Sequence, residues 1–300
     1  MMSQSATAPA VWPAPAKVNL FLHITGRRED GYHDLQTLFQ FLNFGDYLQF
    51  TIRDDGRVNR VTSIHGVEPQ HDITVRSAQA LQRKTGCKLG VNIGIEKHIP
   101  MGGGLGGGSS DAATTLVALN QLWNLDLPQA QLIDLGRSLG ADVPVFVHGR
   151  SAWAEGIGEK LQAVELPEYW YVVIYPGITV STAELFADPE LTRDARPIKI
   201  RDYFEGGTSN VFEPIVRRRY PAVDAALKWL SKLEIKSIRP AMMTGTGSCV
   251  FAAYADESSA RRIAEMAEQL SEQRPTQDWR IICAKACNES PLLQRVKDRN

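Results

Sequence analysis

Between Pro100 and Ala112 the chain reads PMGGGLGGGSSDA, and six of the seven residues from Gly102 to Gly108 are glycine. Each glycine raises the entropy cost of ordering such a segment, so an ordered loop of this kind needs its bare backbone for something. A strand-like run, LGVNIGIEKHIP, leads into the loop, and apolar residues at helical spacing (Ala112, Leu116, Leu119, Trp123) lead out of it. Strand, glycine loop and helix start together make an anion site. The helix end offers unpaired N–H groups and a partial positive charge, and glycines let phosphate oxygens approach the backbone. The residues predicted to hold phosphate are Pro100, Met101, Gly102, Gly103, Gly104 and Leu105 on the approach. Gly106, Gly107, Gly108, Ser109 and Ser110 follow at the helix start. Ser109, Ser110 and Asp111 are placed to cap the helix or to meet a phosphate-bound metal. Lys97, just ahead of the loop, stands within reach of a nucleotide.

Two common phosphate motifs do not describe this loop. Gly102 and Gly107 have the P-loop separation, but Gly108 occupies the lysine position. Gly102, Gly104 and Gly107 satisfy G-x-G-x-x-G, yet a glycine run matches many patterns and no acidic strand end follows in a dinucleotide-binding unit.

Three stretches, in order and widely spaced, carry a resemblance. PAKVNL (Pro15–Leu20), the glycine loop and TGTGSCVFA (Thr244–Ala252) resemble the three motifs of the galactokinase, homoserine kinase, mevalonate kinase and phosphomevalonate kinase (GHMP) superfamily. REDGYHDLQTLFQFL (Arg28–Leu42), GADVPVFVHG (Gly140–Gly149) and AEGIGE (Ala154–Glu159) resemble one branch of it, whose acceptor is a cytidine diphosphate-linked methylerythritol. The resemblance implies ATP-dependent phosphorylation of that polyol's 2-hydroxyl in non-mevalonate isoprenoid synthesis, with Mg2+ accompanying ATP. It also implies an α+β, two-domain GHMP kinase fold. An ATP-binding domain of ribosomal-protein-S5-like type would span 1–163, a ferredoxin-like acceptor domain 164–300, and the active site would lie between them.

Taken alone, Asp142 reads as the N-cap of a helix starting at Pro144, and Lys17 as a solvated or snorkelling lysine. The resemblance instead makes Asp142 the catalytic carboxylate and Lys17 the partner that keeps it ionised. Asn19, on the same strand face as Lys17, is implied to lie beside the substrate. Tyr32 and His33 follow an Asp30-Gly31 turn and alone describe a hairpin; the resemblance gives them the cytidine, by stacking and hydrogen bonding. Thr182 and Phe186 are implied to join that pocket, although alone they read as a helix cap and a core phenylalanine. Gly245, Thr246 and Gly247, which alone read as readily as a plain strand-connecting turn, are implied by the resemblance to form a second glycine turn near phosphates or substrate. No His/Cys/Asp cluster argues for a protein-held metal.

The elements needed to position these groups are legible. Strands are predicted over 17–25, 35–42, 46–52, 89–100, 169–175, 249–254 and 279–286, and helices over 74–84, 109–123, 129–139, 221–233 and 257–270. The 129–139 helix is given Gly140 as its C-cap. With 300 residues, one large domain or two ordinary ones are available. Lys+Arg is 33 against Asp+Glu 34, so the basic excess of a nucleic-acid binder is missing. The N-terminal residues lack a secretory pattern and read as a lead-in that becomes ordered near Trp12. No apolar run reaches membrane-span length, and the four cysteines suit free thiols, so a cytoplasmic protein is expected. Oligomeric state is not legible. Another GHMP-type kinase such as a homoserine kinase is the alternative, disfavoured by the Gly-Tyr-His and AEGIGE stretches. An inactive nucleotide-binding relative is disfavoured because Lys17, Asp142 and the glycines are all present.

Overall fold

The computed structural model describes residues 10–206, 208–233, 237–274 and 278–298, so most of the predicted N-terminal lead-in lies outside the described residues. The strands are β1 (Val11–Arg27), β2 (His33–Arg53), β3 (Val58–Arg60), β4 (Gly90–Glu96), β5 (Ala152–Glu155), β6 (Lys160–Ala163), β7 (Trp170–Tyr175), β8 (Met242–Met243), β9 (Val250–Tyr254) and β10 (Arg280–Cys287). The helices are α1 (Ile73–Thr85), α2 (Gly107–Leu122), α3 (Gln129–Arg137), α4 (Val143–His148), α5 (Thr182–Phe186), α6 (Ile200–Glu205), α7 (Glu213–Arg219), α8 (Pro221–Ser231), α9 (Glu257–Gln273) and α10 (Pro291–Lys297).

Local chemistry sets the helix ends. Asp72 caps α1 by accepting the Thr74 N–H at 2.8 Å, and Gly86 ends it in the left-handed conformation. Asp256 caps α9 in the same way through the Ser259 N–H at 2.8 Å. Three expectations need correcting. The two strands predicted over 35–42 and 46–52 are one strand, β2, because β1 pairs along it on both sides of the turn-like Asn43–Asp46 and a register shift between Pro15 and Lys17 absorbs the irregularity. The helix predicted over 129–139 ends at Arg137 with Ser138, not Gly140, as its C-cap. Helix α2 begins at Gly107 with Gly106 as N-cap, so Ser109, Ser110 and Asp111 lie inside its first turns and do not cap it.

One hydrogen-bonded path orders the strands β3-β4-β2-β10-β7-β9-β8, with β1 and β5 beside β2 and β6 beyond β5. Strand β10 is the joint: it pairs with β2 through Ala286 and Cys287, and with β7 through Arg280–Lys285. Helices α1, α2 and α4 bury their apolar residues against β1, β2 and β4. Helices α8 and α9 cover one face of β7 and β9 with Val223, Leu227 and Ile263. The last helix returns to the first core, where Leu292 is buried. Among the described residues, no helix is long and apolar enough to cross a membrane.

Candidate active site

Strand β1 presents Lys17 and Asn19 two positions apart, hence on one face. The Lys17 ammonium is buried and donates to the Asn19 side-chain oxygen and, at 3.0 Å, to the Gly104 carbonyl. It lies 3.2 Å from the Asp142 carboxylate. Asp142 does occupy the N-cap position of α4, but its side chain makes no capping bond. The carboxylate is instead one-third exposed and held beside the ammonium. A buried lysine needs such partners, because an unpaired ammonium is costly to desolvate.

Asn19 ties the third motif to the first. Its N–H donates to the Thr244 hydroxyl at 2.9 Å, and its amide group donates to the Thr37 hydroxyl at 2.9 Å. The glycine loop packs against the same turn. A side chain at Gly104, where φ is +78°, would stand 2.2 Å from the Thr244 carbonyl oxygen, so this glycine serves loop-to-loop contact. Gly108 differs: a Cβ there would meet nothing within 4 Å, which leaves its backbone open to the cleft. The first bond inside α2 runs from the Ser110 N–H to the Gly106 carbonyl at 2.9 Å. The N–H groups of Gly107, Gly108 and Ser109 are thus the orphan donors of the helix start.

These elements enclose a cleft of about 480 Å³. It brings together Lys17, Asn19, Lys97, the loop from Pro100 to Ser109, Asp142, Thr182, Phe186 and the turn Gly245–Gly247. The Thr182 and Thr246 hydroxyls bridge it at 2.8 Å. Three predicted residues stand outside the lining. Ser110 is fully buried within the first turn of α2, its hydroxyl without a hydrogen-bond partner among the described residues. Tyr32 is 62% exposed beyond the cleft. His33 stacks on Phe186 with ring centroids 5.1 Å apart, one ring removed from the cavity. Burial, with Arg193 and Arg27 nearby, lowers the His33 pKa and favours the neutral ring.

Sequence reasoning missed Asp46, which changes how Lys97 is read. Lys97 is bound between Asp46 and Asp111, the latter at 2.7 Å. The other Asp46 oxygen accepts the His98 N–H and, at 2.7 Å, the Ile99 N–H. One buried carboxylate therefore fixes the end of the approach to the glycine loop. Burial pushes the Asp111 carboxyl well above its ordinary value, with Lys97 pulling it back. Burial would lower Lys97, but Asp111 and Asp46 outweigh it and hold the ammonium above its usual value. Asn210, equally missed, donates to the carbonyls of Met243 at 2.9 Å and Gly245 at 2.7 Å and so fixes the second glycine turn. A lone Asp after a glycine and a lone Asn before a helix gave no signal beyond ordinary turn chemistry.

A carboxylate whose folded pKa is raised binds more protons in the native than in the unfolded state, so stability falls as pH rises from the ordinary carboxylate range toward the raised value. Replacing Asp111 by Asn is therefore expected to flatten the fall in unfolding free energy between about pH 5 and about pH 8. Urea unfolding at a series of pH values checks this; an unchanged slope would remove Asp111 as its source. Among the described residues, no three His, Cys, Asp or Glu side chains are grouped to hold a metal ion. Cys87, Cys249, Cys283 and Cys287 are free thiols.

Residues 72–150 match the family described as GHMP kinases N terminal domain, and residues 192–272 match GHMP kinases C terminal. The 4-diphosphocytidyl-2-C-methyl-D-erythritol kinase of Nitrosococcus oceani is 54% identical over 94% of this chain and 96% of its own. That of Alkalilimnicola ehrlichii is 56% identical over 95% of this chain and 94% of its own. A crystal structure of 4-(cytidine 5'-diphospho)-2C-methyl-D-erythritol kinase superposes with a TM-score of 0.76 at 33% identity, covering 92% of this chain and 99% of that one. The homoserine kinase of Cytophaga hutchinsonii shares the fold alone, with a TM-score of 0.65 at 16% identity, covering 97% of this chain and 98% of that one. With both kinase domains matched and curated relatives above 50% identity along nearly the whole chain, the protein belongs to the GHMP kinases and, within them, to the 4-diphosphocytidyl-2-C-methyl-D-erythritol kinase family.

Proposed function

We propose that the chain transfers the γ-phosphoryl group of ATP to the 2-hydroxyl of 4-diphosphocytidyl-2-C-methyl-D-erythritol in non-mevalonate isoprenoid synthesis. The observation that carries this reading is the meeting of the glycine loop and the Asp142 carboxylate at one buried ammonium, that of Lys17. Phosphoryl transfer needs charge neutralised and oxygens held in line more than it needs covalent help. The open backbone at Gly108 and the free N–H groups of the helix start take the phosphates. Asp142 accepts or orients the proton of the acceptor hydroxyl, and Lys17, 3.2 Å away, holds that carboxylate in place and faces the developing charge. Mg2+ bound with the nucleotide would offset its phosphate charge, and the Ser109 hydroxyl, which lines the cleft at the helix start, would be the side-chain oxygen available to it. The functional division is 1–163 for the nucleotide and 164–300 for the acceptor, with His33 and Asp142 of the first part also reaching the acceptor and α10 returning to brace the first core. A cytoplasmic location fits this role.

The cytidine is assigned to the stacked His33 and Phe186, with Thr182 on the cleft side. Nε2 of His33 is buried without a partner among the described residues, and a base edge would supply one. Tyr32 is a mouth residue rather than a floor for the ring. Stacking on a base is worth about 1–3 kcal/mol. His33→Ala and Phe186→Ala are each expected to lower kcat/KM for the cytidyl acceptor by about 10–100-fold without changing ATP affinity. Steady-state kinetics with full-length acceptor and with methylerythritol phosphate lacking the cytidine decide the matter. Equal use of the two acceptors by the unaltered enzyme would remove the cytidine pocket.

A further inference from the structure

A second cavity, of about 640 Å³, lies behind the catalytic strand. Leu20 lines it, whereas its neighbour Asn19 lines the cleft, so the two spaces sit on opposite faces of β1. Its apolar floor is Leu20, Met242, Phe251 and Ala253. Arg239, Tyr169, Tyr171 and Tyr203 stand over that floor. The Arg239 guanidinium is half-buried, packs 4.1 Å above the Tyr203 ring and donates to the Tyr203 carbonyl at 3.0 Å. Among the described residues no carboxylate pairs with it; Glu205, also in the lining, is exposed and makes no such bridge. The Tyr171 hydroxyl donates to Gln40 at 2.8 Å, whereas the Tyr169 and Tyr203 hydroxyls have no hydrogen-bond partner among the described residues. Burial pushes the Tyr171 and Tyr203 hydroxyls upward, with Arg239 opposing, so both stay protonated donors. Phe204 and Ile238, two of the few large apolar side chains left exposed, flank the opening.

A half-buried cation with no carboxylate partner among the described residues, beside phenol donors and above an apolar floor, is matched by a ligand with an anionic head and an apolar body. We infer that this cavity is a binding site, distinct from the catalytic cleft, for a small amphipathic anion. Its head sits on Arg239 and the Tyr203 hydroxyl and its body on Leu20, Met242 and Phe251. Met242 belongs to β8, which runs directly into the Thr244–Gly247 turn, so an occupant would touch the reverse side of two elements that shape the cleft.

The test uses the full chain and the fluorescent aromatic sulfonate 8-anilinonaphthalene-1-sulfonate, with a non-hydrolysable ATP analogue and the acceptor held at saturation to fill the cleft. Saturable binding is expected to persist under those conditions. It should weaken about tenfold or more in Arg239→Gln and measurably in Tyr203→Phe, which keeps the ring packing. The uncharged N-phenyl-1-naphthylamine should bind the wild type and Arg239→Gln alike. Should Arg239→Gln fail to fold, Tyr203→Phe decides. Displacement of the sulfonate by the cleft ligands, or equal sulfonate affinity in wild type and variants, would overturn the site.

Discussion

Asp142→Asn is expected to lower turnover by about 10²–10⁴-fold, the usual worth of a positioned general base, and to leave nucleotide affinity close to that of the wild type. The carboxylate lies 3.2 Å from the Lys17 ammonium and is one-third exposed to the cleft, so Asn keeps its shape but loses the proton acceptor and half of the ion pair. Lys17→Ala should also lower turnover, and in addition lower stability. It empties a buried site where one ammonium joins Asn19, the Gly104 carbonyl and Asp142. Because the two residues act on one hydroxyl, the double variant should lose less than the product of the single losses. Single-turnover kinetics with calorimetric nucleotide titrations measure both halves of the expectation. Near-normal turnover in a folded Asp142→Asn enzyme would make the residue a helix-end aspartate and nothing more.

The second large effect separates glycines that look equivalent in the sequence. Gly108→Val should weaken binding of an ATP analogue about tenfold or more while moving the thermal midpoint little. The new Cβ meets no protein atom within 4 Å at a residue that lines the cleft, so the side chain is expected to obstruct the ligand rather than the fold. Gly104→Val should do the reverse as its first effect. At φ +78° and 2.2 Å from the Thr244 carbonyl, a Cβ strains the backbone and separates the glycine loop from the second turn. Strained backbone of this kind costs about 1–3 kcal/mol before the collision is counted. Thermal unfolding and calorimetry on both variants tell the two roles apart. Equal nucleotide affinity in Gly108→Val would mean that phosphate does not approach there.

What could be read from the sequence was local. The helix at the glycine run, the strand carrying Lys17 and Asn19, and the bodies of the patterned helices follow from periodicity, whereas the ends read from Ser109, Ser110, Asp111 and Gly140 do not hold, because α2 starts inside the run at Gly107 and α3 ends at Arg137. The site itself depends on pairs far apart in the chain, such as Asn19 with Thr244 and Lys17 with Asp142. Only the motif resemblance brought those residues together. Beyond the motifs, the resemblance offered no help. Asp46 shows the limit: its carboxylate fixes the His98 and Ile99 N–H groups and pairs Lys97, and none of this is visible in a single aspartate after a glycine. Gly104 shows a second one. Its need for a bare backbone comes from a loop 140 positions away, whereas composition suggested that the whole run served phosphate. The continuity of β2 was missed for a related reason, since the partner strand rather than the turn-like residues decides its conformation.

Phosphoryl transfer to one acceptor among several is the most direct measurement. The purified chain would be incubated with ATP, Mg2+ and, in separate reactions, 4-diphosphocytidyl-2-C-methyl-D-erythritol, homoserine, mevalonate and galactose, and followed by phosphorus nuclear magnetic resonance. A new phosphomonoester at the 2-position of the cytidyl polyol, matched one for one by ADP and missing from the other three reactions, is the predicted result. Preferential phosphorylation of homoserine, mevalonate or galactose, or no acceptor phosphate at all, would contradict it.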